Sequence, residues 1–153
     1  MKPRFVDSFL YAAQGIRTAV REERNMRFHL CAAFYVYLFS LFYGFGKTEY
    51  ILITLMVCGV LALELVNSSL ERTVERPAPD RYMTAGVVKD MAAGAVLAFS
   101  IAAAAVGGVL FWQPEVLCTI PAWFVENLWA AALLAISLAG AWFFVFWPER
   151  KKG

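Results

Sequence analysis

Four long apolar runs make up about half of this 153-residue chain. The first, Phe28 to Phe45, is about 18 residues and would rise roughly 27 Å as an α-helix, close to the thickness of a hydrocarbon core. A second begins near Tyr50 and is apolar to Leu63, a third runs from Met91 to Trp112, and a fourth from Asn127 to Trp147. Hydrophobic residues make up 61% of the chain and charged ones 17%, which excludes an ordinary soluble domain and predicts an all-α integral membrane protein. Four spans leave no room for a separate soluble domain. Any chemistry is expected at the membrane or its surface.

The segments between the runs complete the predicted architecture. Residues 5–27 place Phe5, Phe9, Ala12, Ile16 and Val20 on one side and arginines elsewhere, the pattern of an amphipathic helix lying in the membrane interface. They are too charged for the apolar core of a cleavable signal peptide. Gly44 to Glu49 reads as a short turn, and the second helix is expected to run through residues 50–75 until Pro77 stops it. A third helix over residues 84–112 carries Lys89 and Asp90 near its start and many Ala and Gly, which favour close helix packing. Residues 114–126, with Pro114 and Pro121, read as an outer loop before the span at 127–147 and a basic tail. Cys31, Cys58 and Cys118 have no metal-binding spacing and read as packing residues.

Charge predicts orientation. Thirteen of the 14 Lys and Arg residues fall before the first run, between the second and third, or after the fourth, and only Lys47 falls in the remaining connections. Positive residues are retained on the cytoplasmic side, so both termini and the 71–90 region are expected there, with the 44–49 and 113–126 connections outside.

Against this apolar background, Glu64 to Glu75 stands out. On one helix, Glu64, Asn67, Glu71 and Glu75 fall within an arc of about 80°, forming one polar stripe. A carboxylate inside a hydrophobic span costs on the order of a few kcal/mol, so a solvated, paired or metal-bound role is the default. The predicted orientation gathers Glu22, Glu23, Glu71, Glu75, Lys89 and Asp90 at one cytoplasmic surface, where ATP and Mg²⁺ are available. Phosphoryl transfer needs metal ions between phosphate oxygens, cations on the phosphates and a group that orients the nucleophile. Glu23 and Glu71 suit Mg²⁺, a hard cation usually held by one or two carboxylates plus phosphates and waters. Lys89 suits the phosphates. Glu64, about two turns deeper, suits a general base for a lipid hydroxyl, with Asn67 to orient it.

The run Glu64-Leu-Val-Asn-Ser-Ser-Leu-Glu71, followed by Lys89-Asp-Met-Ala-Ala-Gly-Ala-Val96, resembles the signature of the small prokaryotic diacylglycerol kinase and undecaprenol kinase family. Glu23-Arg-Asn-Met-Arg-Phe-His29 and Ser8-Phe-Leu-Tyr-Ala-Ala-Gln-Gly15 look like N-terminal segments of its undecaprenol kinase branch. The resemblance covers roughly residues 4–113. It implies a kinase domain over residues 1–113 with a surface helix and three transmembrane helices. Residues 114–153 then add a fourth span of no assigned role. It further implies a homotrimer in the bacterial cytoplasmic membrane that transfers the ATP γ-phosphate to a lipid alcohol, undecaprenol in preference to diacylglycerol. Carried over by position, it makes Glu64 the general base, Glu23 and Glu71 the metal ligands, and Asn67 a support for the acceptor. It puts Tyr11, Glu23, Glu71, Glu75, Lys89 and Asp90 at the nucleotide. Glu75 stands where the family usually has Asp, and Tyr82 and Gly86 where relatives often have His and Lys.

Two other functional classes fit the sequence less well. A small four-helix transporter would use Glu64 as a proton or cation site, yet the first, third and fourth runs have almost no polar group at mid-depth. An assembly subunit docking through its small-residue third helix has no need for Glu64 or Glu71. Gly44-Phe-Gly46-Lys-Thr48 ends like a phosphate-binding loop but has Leu41 where the first glycine belongs, and it reads as a turn.

Overall fold

A computed structural model describes residues 5–74 and 82–148, and these form six helices with no strand. They are α1 (Phe5–Glu22), α2 (Arg24–Ser40), α3 (Lys47–Val74), α4 (Tyr82–Phe111), α5 (Pro114–Glu126) and α6 (Leu128–Val145). Three of them, α3, α4 and α6, are long and apolar enough to cross a membrane. The expected first span is shorter than its apolar run, because α2 carries Arg24 and Arg27 in its first turn and stops at Ser40.

The predicted surface helix and first span meet at a sharp break rather than near residue 27. Glu23 is extended, with φ −109° and ψ 117°. Its N–H still closes α1 onto the Ala19 carbonyl at 2.8 Å, and its own carbonyl accepts the Arg27 N–H of α2 at 3.3 Å. One residue thus ends one helix and starts the next.

At the other end of α2, the Ser40 hydroxyl donates to the Tyr37 carbonyl at 2.7 Å, and a turn follows. Gly44 has φ +56°, a left-handed conformation that residues with a Cβ rarely adopt. The Gly46 N–H donates to Glu49 Oε2 at 2.9 Å, half of a capping box at the start of α3. Tyr43 and Phe45 stack on each other, and both meet Phe111 edge to face, closing this end of the α2–α3–α4 group.

The most extensive packing joins α3 to α4. Gly59 of α3 receives the Phe99 ring of α4, a seat that any Cβ would fill. The small residues expected to draw α4 close act differently: Gly86, Gly94, Gly107 and Gly108 face open space. The α3–α4 contact uses the gap on α3; Gly86, Gly94 and Gly108 are exposed, while Gly107 lines a groove between α2, α3 and α4.

The predicted outer loop over residues 114–126 is corrected by the structure to helix α5. Pro114 occupies its first turn, where the missing N–H costs nothing. Pro121 lies inside the helix, where one backbone bond is lost. Trp123 and Phe124 of α5 pack on Phe42, and Asn127 turns the chain into α6. In turn α6 docks on α2, with Tyr35 Oη and Ser137 Oγ 3.2 Å apart.

Candidate functional site

The C-terminal half of α3 sets the site. Glu64 and Asn67 are only 2% and 5% exposed, and Ser68 beside them is also buried. Spacings of three and four residues stack Glu64, Asn67 and Glu71 down one face, as the sequence predicts. Asn67 Nδ2 donates to Glu71 Oε1 at 3.4 Å. The Asn67 carbonyl oxygen and the Ser68 hydroxyl are buried without a hydrogen-bond partner among the described residues. Buried polar atoms of this kind ordinarily have partners, so these two are available to a ligand atom or an ordered water. Glu75 lies outside the described residues.

The break between α1 and α2 brings the second acidic element to the first. Glu23 and Glu71 are the charged neighbours of Glu64, close enough to act on it electrostatically. Arg72 of α3 binds Glu22 at 2.9 Å and reaches Glu23 at 3.5 Å, fixing the break against α3. Three carboxylates from two sequence-distant segments thus crowd a site partly closed to water. Such a cluster attracts a cation.

The residues fit Mg²⁺ on the chemistry of their donors. Among the described residues no three His, Cys, Asp or Glu side chains are arranged to hold a metal alone. Mg²⁺ does not need that, since it commonly keeps waters and takes one or two carboxylates plus substrate phosphates. Glu23 and Glu71, with the vacant Asn67 oxygen nearby, supply such an incomplete set.

The remaining predicted residues are not all brought together. Antiparallel packing that seats Phe99 on Gly59 puts Lys89 and Asp90 at about the level of Ser69 and Ser68. Lys89 is half-buried and Asp90 exposed, and neither forms an ion pair among the described residues. Tyr11 is 64% exposed on α1, about 18 Å along the helix from Glu23, and does not join the cluster. Tyr82 starts α4, and Gly86 lies in that helix rather than in a loop. A groove of about 330 Å³ between α2, α3 and α4 begins one turn from Glu64, at Leu61 and Val60, and is lined almost wholly by apolar groups.

Two further arginines are placed by the structure in ways that their residue type does not announce, although Arg27 lies within the Glu23 to His29 segment. Arg72 looks like a helix-end cation, and Arg27 like one more interfacial arginine. Yet Arg27 is 2% exposed. Its guanidinium donates only to backbone carbonyls, which any residue can provide.

Residues 10–111 match the family model described as prokaryotic diacylglycerol kinase. An undecaprenol kinase of Bacillus subtilis (strain 168) is 35% identical over 108 residues, covering 71% of this chain and 88% of that protein. A diacylglycerol kinase of Synechocystis sp. is 35% identical over 113 residues, covering 73% of this chain and 65% of that protein. A diacylglycerol kinase of Haemophilus influenzae is 33% identical over 108 residues, covering 70% of this chain and 92% of that protein. No solved structure matches. Helices α5 and α6 lie beyond the family match.

Proposed function

This chain belongs to the prokaryotic diacylglycerol kinase family, and from that membership we propose that it transfers the γ-phosphate of ATP to the terminal hydroxyl of undecaprenol. It is a membrane lipid kinase with ATP as co-substrate. The observation that carries the mechanism is the burial of Glu64 within a long apolar helix, beside Asn67 and next to Glu23 and Glu71. In this reading Glu64 accepts the hydroxyl proton as the lipid oxygen bonds to the γ-phosphorus and the bond to ADP breaks. Asn67 orients the acceptor by donating to the lipid oxygen through the Nδ2 hydrogen that it does not give to Glu71. Glu23 and Glu71 would hold Mg²⁺, which when bound neutralises charge on the phosphate oxygens. Lys89 contacts the phosphates, with Asp90, Tyr11 and Glu75 as further nucleotide contacts.

The lean to undecaprenol rests on the resemblance of the N-terminal segments to the undecaprenol kinase branch, and an undecaprenol kinase is among the relatives at 35% identity. Diacylglycerol is the second reading, favoured by two relatives of that name. Assaying the purified protein with each lipid in parallel decides between them. A clear preference for diacylglycerol overturns the proposal.

The apolar groove between α2, α3 and α4 supports a lipid acceptor, because its near end lies one helical turn from Glu64 and it offers almost nothing polar. The distribution of Lys and Arg supports cytoplasmic termini and a cytoplasmic site in a bacterial inner membrane. We further propose a homotrimer, supported by the outward glycines of α4, which let a neighbouring helix approach closely. A cross-linking ladder that stops at dimer counts against it.

A further inference from the structure

We propose that Arg27 is a positioning residue through which the added helix α6 holds Glu23 in place at the kinase site. Arg27 sits one turn into α2 from the extended Glu23. Its guanidinium reaches two helix ends at once. Nη1 donates to the carbonyls of Val20 at 3.4 Å and Arg21 at 3.1 Å, in the last turn of α1. Nε and Nη2 donate to the Val145 carbonyl at 3.4 and 3.3 Å, and Nη2 also donates to the Trp147 carbonyl at 3.1 Å. Nearby, Arg24 lies over the Phe146 ring, 6.0 Å from its centroid, a second contact between the same ends.

The Trp147 carbonyl lies just past the end of α6, and the Val20, Arg21 and Val145 carbonyls are terminal ones that have no partner within their own helix. They carry the negative end of the helix dipole, so one buried cation stabilises two helix C-termini at the same point. The planar fork of arginine is essential to that geometry, because the compact ammonium of lysine cannot present its donors along two directions so far apart. Glu23 lies between the clamped end of α1 and the first turn of α2. The extended backbone there is a natural hinge, restrained on one side by Arg72 and on the other by Arg27. Family membership covers residues 10–111 and gives α6 no role. The clamp gives it one: α6 completes the wall against which the Glu23 hinge is set.

This inference rests on the reading of Glu23 as a metal ligand, and the test separates the two. Full-length protein in nanodiscs of phosphatidylethanolamine and phosphatidylglycerol is titrated with Mn²⁺ at a saturating concentration of a non-hydrolysable ATP analogue, and protein-bound metal is read by electron paramagnetic resonance. Arg27→Lys is expected to raise the half-saturating Mn²⁺ concentration about tenfold. The KM for MgATP rises with it, the KM for lipid does not, and amide exchange in residues 20–23 and 144–147 quickens together. A second variant acts from the α6 side without touching Arg27 or Glu23. Ser137→Phe overfills the α2–α6 contact at Tyr35 and should shift Mn²⁺ binding in the same direction. Unchanged Mn²⁺ binding in both variants, alongside a loss in Glu23→Gln, overturns the clamp and leaves the Glu23 reading intact. Unchanged binding in Glu23→Gln itself overturns the reading on which the clamp rests. Equal rises in the lipid and MgATP KM values reduce Arg27 to a general staple of the fold and also overturn the proposal.

Discussion

Replacing Glu64 with Gln should separate activity from stability in opposite directions. The substitution keeps the shape of a buried side chain and leaves the Asn67–Glu71 hydrogen bond intact, since that bond does not involve Glu64. What it removes is a carboxylate that makes no hydrogen bond or ion pair among the described residues and faces two like charges, Glu23 and Glu71. A buried, uncompensated charge costs stability, so the variant should unfold no more easily than the native protein in a detergent titration. Catalysis should fall by the worth of a positioned general base, about 100- to 10,000-fold in kcat, or roughly 3–5 kcal/mol of barrier. Because the group acts in the transition state, KM for lipid and for MgATP should move far less than kcat. The assay follows labelled γ-phosphate into the lipid phase under saturating MgATP. A variant that keeps more than about a tenth of native kcat refutes Glu64 as the base. Lost activity together with a large drop in unfolding midpoint would instead make Glu64 a structural residue.

Glu71→Gln should raise the Mg²⁺ concentration needed for half-maximal activity by about tenfold or more, and excess Mg²⁺ should recover much of the loss; a purely kcat effect tells against a ligand role. Gly59→Ala places a Cβ on the Phe99 ring and should destabilise the protein by about 1–3 kcal/mol, measured by detergent unfolding, with Phe99→Leu in the same chain recovering part of it. Glu49→Ala removes the acceptor of the Gly46 N–H and should cost about 0.5–2 kcal/mol of stability with kcat unchanged, because that turn lies at the opposite end of α3 from Glu64. Chelating divalent cations with EDTA should abolish phosphate transfer, and adding back Mg²⁺ should restore it.

The helices were largely legible because apolar runs of spanning length leave the backbone little choice. Their ends were harder to read. Phe28 to Phe45 reads as one run, but hydropathy does not register the turn that starts at Leu41 or the left-handed glycine that shapes it. Two prolines made 114–126 read as a loop, although Pro114 favours a helix start and Pro121 removes only one donor. Within the site, Glu64, Asn67 and Glu71 were legible from helical spacing alone, since a polar stripe in an apolar helix is a strong signal. That Glu23 lies beside them depends on the backbone break, which leaves no mark in composition. Arg27 and Arg72 were least legible. One is held by carbonyls common to every residue, and the other by an acidic pair some fifty positions upstream.

The docking of α6 on α2 also determines how the enzyme meets its two-dimensional solvent. Helix α6 packs against α2 and α5, leaving the broad flank formed by α3 and α4 uncovered. Within one chain that flank faces the bilayer, open to a lipid diffusing in the leaflet or, in the proposed trimer, to a neighbouring helix, and the extra helix blocks neither. The added segment enlarges the protein on one side only and leaves the other side for those contacts.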